Sequence, residues 1–332
     1  MTSGQRRLSA VATAAIVVAL SAACGGTNTT PPAGEGTTAA TQAGGAELTG
    51  QVKIDGSSTV APLTSAAAEF FADEQPKVNV TVGTSGTGGG FEKFCNGETD
   101  VADASRPIKD EEKAACEAKG IKYSELSVAT DALTVVVNKE NTWVTCLTTD
   151  QLKKMWEPAA EGKVTTWKQV DATFPDEPLK LFGPGTDSGT FDYFTDEING
   201  EEGASRKDYS PSEDDNITVQ GVTGSKGGLG YFGFTYFEEN ADKLKAVEID
   251  SGKGCVAPSV EAAQNGTYAP LSRALFVYPS AGATKRPEVT AFLDFFVTNI
   301  GKIATDAQFV PLNAEQEAKL KTDLATLKTQ AG

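Results

Sequence analysis

Three times along this chain a short β-patterned run delivers a loop of Gly, Ser and Thr that opens a helical pattern. The first unit is Gln51-Val52-Lys53-Ile54, then Asp55-Gly56-Ser57-Ser58-Thr59-Val60-Ala61-Pro62-Leu63, with a helical pattern from Leu63 to Asp73. The second is Val78-Asn79-Val80-Thr81-Val82, then the glycine-rich residues 83–91, with a helix through Cys95. The third is Leu179-Lys180-Leu181-Phe182, then Gly183-Pro184-Gly185-Thr186-Asp187-Ser188-Gly189-Thr190, running into Phe191-Asp192-Tyr193-Phe194. Strands alternating with helices in this way dictate an α/β fold. A loop of this composition offers unpaired N–H groups and hydroxyls at the positive end of a helix dipole, which is the physics of an oxyanion site. Each loop alone also reads as an ordinary capped turn. Three of one chemical kind carry the functional reading.

Charge and composition remove several alternatives. The 332 residues are enough for two domains and hold 29 basic against 45 acidic side chains, a net charge of −16. Nucleic-acid binding is disfavoured, because phosphate backbones need a basic surface. A small anion can still bind, since a surface field is screened within about 8–10 Å. There is no histidine. That excludes Ser-His-Asp and Cys-His nucleophiles and most catalytic zinc sites, so an enzyme is not expected and neither a metal nor a cofactor is implied. No Gly-Lys-Ser/Thr follows the glycines at 83–90, so a nucleotide site is unsupported.

Residues 1–24 read as an export signal: Arg6 and Arg7, then an apolar, Ala-rich run too short to span a membrane. It ends in Leu20-Ser21-Ala22-Ala23-Cys24-Gly25, similar to a bacterial lipobox, whose cysteine is lipidated. Leu20 stands one position further out than usual. Residues 25–46 lack bulky apolar side chains and read as a flexible tether, with ordered structure from about Glu47. Asp131-Ala132-Leu133-Thr134-Val135-Val136-Val137-Asn138 is an apolar strand that crosses to a second domain, and Leu271-Ser272-Arg273-Ala274-Leu275-Phe276-Val277-Tyr278-Pro279 crosses back. Arg106, in Asp103-Ala104-Ser105-Arg106-Pro107, offers a planar fork suited to a tetrahedral oxyanion, or else a salt bridge to the acids at 110–112. Trp167 and Phe174 read as core, and the acidic stretch 197–215 as a solvated loop. With Cys24 assigned to the lipobox, four cysteines remain in an exported chain, hence two disulfides. Three pairings are open. Cys95–Cys116 with Cys146–Cys255 keeps each bridge inside one proposed domain.

Taken together, residues 55–63, 83–91, 100–108, 131–138, 183–194 and 221–234 resemble the phosphate-binding, PstS-type lipoproteins of bacterial phosphate ABC transporters. The resemblance implies a two-lobed clamshell of the periplasmic-binding-protein kind (type II-like), with two crossing hinge strands. It implies lobe one at 47–134 plus 275–332 and lobe two at 135–274. Position by position it places Ser58 and Thr59, with Ser57 adjacent, among the first-loop ligands, Ser85 in the second loop, and Ser188, Gly189 and Thr190 in lobe two. The implied partners are inorganic phosphate, a permease and, through the lipid anchor, the cell membrane. Two positions depart from the family's usual pattern. Ser105 stands where many relatives have an aspartate that accepts the phosphate proton, and Pro184 where many have an arginine. The expected substitutes are Arg106 as guanidinium and Asp187, or Asp103, as acceptor. Sulfate, molybdate or another oxyanion on the same scaffold is the alternative, with an exported hydrolase or an adhesive lipoprotein further off.

Overall fold

The structure is a computed structural model and describes residues 47–330. The expectations for the export signal, Cys24 and the tether lie outside the described residues.

The first half of the fold is built from alternating strands and helices. Gly50–Gly56 forms β1 and Ala61–Glu74 forms α1, whose Leu63, Ala67 and Phe71 bury one stripe at four-residue spacing. Val78–Gly83 (β2), Gly86–Cys95 (α2), Val101–Ala104 (β3) and Asp110–Ala118 (α3) follow. Leu126–Asn138 is β4, buried at every position except Ser127. The chain then builds β5 (Cys146–Thr148) and α4 (Thr149–Trp156), where the Thr148 hydroxyl and the Gln151 side chain cap each other's amides. Next come α5 (Trp167–Val170), β6 (Lys180–Gly183), α6 (Gly189–Phe194), β7 (Ser210–Pro211) and α7 (Asp215–Thr223). After them stand β8 (Gly228–Gly233), α8 (Phe234–Glu239), β9 (Leu244–Ala246), β10 (Glu248–Asp250), β11 (Cys255–Val256) and α9 (Val260–Gln264). Ser272–Pro279 is β12, and α10 (Pro287–Thr298), α11 (Ile300–Asp306) and α12 (Ala314–Gln330) close the fold.

Eight strands run in the order β2-β1-β3-β12-β4-β8-β6-β7, with β9 also on β4. The two halves meet on β4. Its residues 126–132 pair antiparallel with β12, and its residues 133–137 pair antiparallel with β8. Around this strand the apolar residues separate. One core sets Leu63 and Phe71 against Phe292, Phe296 and Leu324, and Phe91, Phe94 and Tyr278 pack together on β3 and β12. The other gathers Trp156, Trp167, Phe194 and Tyr231. This is a two-lobed clamshell in which helices cover both faces of a mixed sheet. Disulfides join Cys95 to Cys116 and Cys146 to Cys255.

Two segments differ from the sequence expectation. The glycines at 86–90 are the first turns of α2, not a loop. The 197–215 stretch is not simply a solvated loop, because Arg206 within it is 4% exposed. Its guanidinium donates to the Met155 and Val164 carbonyls at 3.0 and 2.9 Å and pairs with Asp208, whose pKa falls to about 2 through that pairing.

Candidate functional site

Gly56 sets the first loop. Its φ is +149°, and a Cβ there would lie 2.1 Å from the Asp103 carbonyl oxygen, so only glycine fits. The Ser57 amide donates to that carbonyl at 2.9 Å, and the amides of Val60 and Ala61 donate to the Ser57 carbonyl. Those of Ser58 and Thr59 have no acceptor among the described residues. They stand just ahead of α1, on the positive end of its dipole.

Ser57, Ser58 and Thr59 line a hollow of about 660 Å³. From the same side Gly86, Thr87, Gly88, Ser105 and Arg106 also face it. The Thr87 and Ser105 hydroxyls are 3.2 Å apart, and the Ser105 amide donates to Thr87. Arg106 is held by both oxygens of Glu112 at 2.9 and 2.8 Å. Burial alone would raise the Glu112 carboxyl, but the Arg106 hydrogen bonds hold it below its ordinary range. The salt bridge and the place beside the hollow, alternatives in the sequence, therefore coexist in Arg106.

The second half contributes Asp192 and Tyr193 from α6, with Asp196, Glu197 and Glu202 just beyond. Burial, then the nearby Glu202 charge, pushes Asp192 up, while Arg273 opposes. Arg273 faces the hollow from β12, directly opposite Asp131 in the β4–β12 register. Its Nε donates to Asp131 at 3.2 Å, an Nη donates to the Thr59 hydroxyl at 3.1 Å, and its Cζ lies 3.7 Å from the Tyr193 ring centre.

Of the residues expected from sequence, Ser57, Ser58, Thr59, Ser105 and Arg106 stand together on the hollow. Ser85 does not line it: its amide and hydroxyl both donate to Asp55, at 3.0 and 2.5 Å, and Lys93 holds the other Asp55 oxygen. Asp187 is exposed, and its amide points to Glu213 at 3.4 Å. Ser188 caps α6 by accepting from the Thr190 amide at 3.2 Å. Gly189 abuts the first loop, since a Cβ there would lie 3.0 Å from the Thr59 hydroxyl. Asp103 lies beneath the first loop with no exposure. Thr87, Asp192 and Arg273 were not singled out from sequence. A signal existed for Arg273: lone opposite charges, Asp131 and Arg273, interrupt the two apolar crossing strands.

A two-lobed α/β protein with a polar, arginine-bearing hollow between its halves belongs to the class of solute-binding clamshells. The model of the PBP superfamily domain matches residues 38–299. A protein named SphX from Synechococcus elongatus is 53% identical over 80% of this chain and 78% of its own. The phosphate-binding protein PstS of Staphylococcus haemolyticus is 42% identical over 85% and 86%. The crystal structure of a possible phosphate binding protein from Planctomyces limnophilus superposes with a TM-score of 0.81 at 47% identity, covering 85% of this chain and 99% of that one. The chain belongs to the PBP superfamily, among its PstS-type substrate-binding proteins.

Proposed function

We propose that this protein captures inorganic phosphate outside the cytoplasmic membrane and delivers it to the permease of an ABC importer. One observation carries the reading: a single hollow is lined by five hydroxyl residues (Ser57, Ser58, Thr59, Thr87, Ser105) and two arginines, and the amides of Ser58 and Thr59 have no acceptor among the described residues. Such a set replaces the water around a tetrahedral anion with directed donors. PstS of Staphylococcus haemolyticus, by its name a phosphate-binding protein, is similar along most of its length.

Lobe one is 47–134 with 275–332, and lobe two is 135–274. The separate apolar cores support this division. Ser57, Ser58, Thr59, Ser105 and Arg106 bind from lobe one, and the turn at Ser188, Gly189 and Thr190 closes on them from lobe two. Ser85, tied to Asp55, and Asp187, tied to Glu213, shape their loops rather than touch the anion. Cys24 carries the lipid, and residues 25–46 tether the clamshell to the cell membrane. No helix among the described residues is long and apolar enough to cross a membrane.

Asp192 takes the acceptor role expected of Asp187 or Asp103, because it is the carboxylate on α6 that lines the hollow. Phosphate near neutral pH keeps a proton that a carboxylate can accept. Sulfate has none and would set oxygen against oxygen. Calorimetric titration with phosphate and then sulfate tests the reading. Phosphate should bind one to one, and sulfate only weakly. Asp192→Asn should cut the preference for phosphate by roughly tenfold or more, the worth of one charge-assisted hydrogen bond. Absence of any phosphate heat in the parent protein rules out the function, and an unchanged preference in the variant rules out Asp192.

A further inference from the structure

We infer that Arg273 is the principal cationic contact for the bound anion and the group through which binding pulls the two lobes together. This rests on the phosphate reading above. The hollow holds two guanidiniums, and they are not equivalent. Arg106 spends both arms of its fork on Glu112, with a further bond to the Pro107 carbonyl. Arg273 makes one 3.2 Å bond to Asp131 and one 3.1 Å bond to Thr59, so three of its five N–H groups have no acceptor among the described residues. Its side chain is 21% exposed, and it stands opposite a wall of Asp192, Asp196, Glu197 and Glu202. An anion entering that acidic enclosure needs a cation with donors to spare, and Arg273 has them.

Its position supplies the second half of the inference. Arg273 grows from β12 beside β4, the strand on which the two halves meet. From there it reaches Thr59 in the first loop and sets its guanidinium carbon over the Tyr193 ring of α6. An anion held by this guanidinium is thereby tied to both lobes at once. Opening the cleft separates Thr59 from Tyr193, so Arg273 must release one of them. Anion binding and closure share this one side chain.

The test uses the full-length protein, Arg273→Lys and Arg273→Met, with inorganic phosphate as the ligand. Affinity is read by calorimetry and closure by the fall in radius of gyration in small-angle X-ray scattering. Arg273→Met should lose at least a hundredfold in affinity and show no compaction. Arg273→Lys keeps the charge without the fork, and should lose about tenfold with partial compaction. A purely structural role would lower the thermal midpoint of the ligand-free variants yet leave affinity and compaction in Arg273→Lys at the parent level, and that result overturns the inference. Should Arg273→Met fail to fold, Arg273→Lys decides. A parent protein that binds no phosphate overturns the functional reading itself, which is a separate outcome.

Discussion

Asp103 sits under the first loop with no solvent exposure and one carboxyl oxygen without a partner among the described residues. Its other oxygen is 2.7 Å from the Thr64 hydroxyl, which also lies 3.3 Å from the Ala61 carbonyl. Thr64 has one proton to give. A neutral Asp103 can donate to Thr64 while Thr64 donates to Ala61, so the protonated form completes a chain that ties β3 to the first turn of α1. Burial first, and the nearby Asp55 charge as well, raise its pKa from 3.8 to about 8, with the Thr64 hydrogen bond opposing. The folded state then binds a proton that the unfolded state releases near pH 4. Stability from this group is complete below the unfolded pKa and is lost as pH rises through about 8. Asp103→Asn keeps a donor to Thr64 and removes the titration. The fall in thermal midpoint between pH 5 and pH 9 should therefore shrink in the variant, by at least the roughly 1.5 °C that 1 kcal/mol is worth in a chain of this size. Calorimetry at the two pH values checks it. Asp215, raised to about 6, titrates in parent and variant alike and cancels in the comparison. An equal fall in both proteins would mean that Asp103 is already charged in the fold.

At the scale of elements, α2 shows what a sequence pattern conceals. Residues 86–90 hold four glycines, and a loop able to approach a ligand is their direct reading. They are helical because the helix must approach the chain itself. A Cβ on Gly90 would lie 2.4 Å from the Gly56 Cα and 2.9 Å from the Asp55 carbonyl oxygen. Glycine at 90 lets α2 lie against the end of β1, beside the loop that faces the hollow. That constraint comes from partners 34 residues away in the chain, so no local periodicity carries it. The strands β1 and β12 and the 131–138 part of β4 were legible, since alternation and β-branched runs are local signals. Both disulfides followed from the division into halves. For Gly90→Ala two effects compete. Helix propensity favours Ala by about 0.8–1.0 kcal/mol, whereas overpacking costs typically 1–3 kcal/mol. The atoms struck are backbone and cannot rotate aside, so overpacking wins. The urea midpoint should fall in Gly90→Ala. It should hold or rise in Gly88→Ala, where the nearest atom is the Arg106 Nη at 3.9 Å. A rise in Gly90→Ala would show that α2 can slide off β1.

For the molecule as a whole, the site was legible as chemistry before it was legible as geometry. Hydroxyl-rich loops announced an anion, but which of their side chains face it depends on how two lobes meet, and no single segment encodes that. Ser85 had the right chemistry and is taken by Asp55. Arg273 and Asp192 became candidates only once β12 and α6 were placed against the first loop. The same dependence makes closure sensitive to one atom. Gly189 at the start of α6 meets Thr59 of the other lobe, and an added Cβ would sit 3.0 Å from its hydroxyl oxygen and 3.6 Å from its Cα. The neighbour would have to give by a few tenths of an ångström. Within either lobe alone Gly189→Ala is harmless, because Gly189 is the first residue of α6, is not among the positive-φ glycines, and Ala is the better helix former. The strain exists only when the lobes are shut, so the substitution should raise the free energy of the closed state without touching the open one. Phosphate affinity should fall about three- to tenfold, the thermal midpoint of the ligand-free protein should hold within about 2 °C, and the scattering-derived compaction should need more phosphate to appear. Thr59→Ala removes the opposing hydroxyl, so the double variant should compact at lower phosphate than the sum of the single effects requires. Strict additivity of the two substitutions would place Gly189 and Thr59 out of contact in the closed, ligand-bound state.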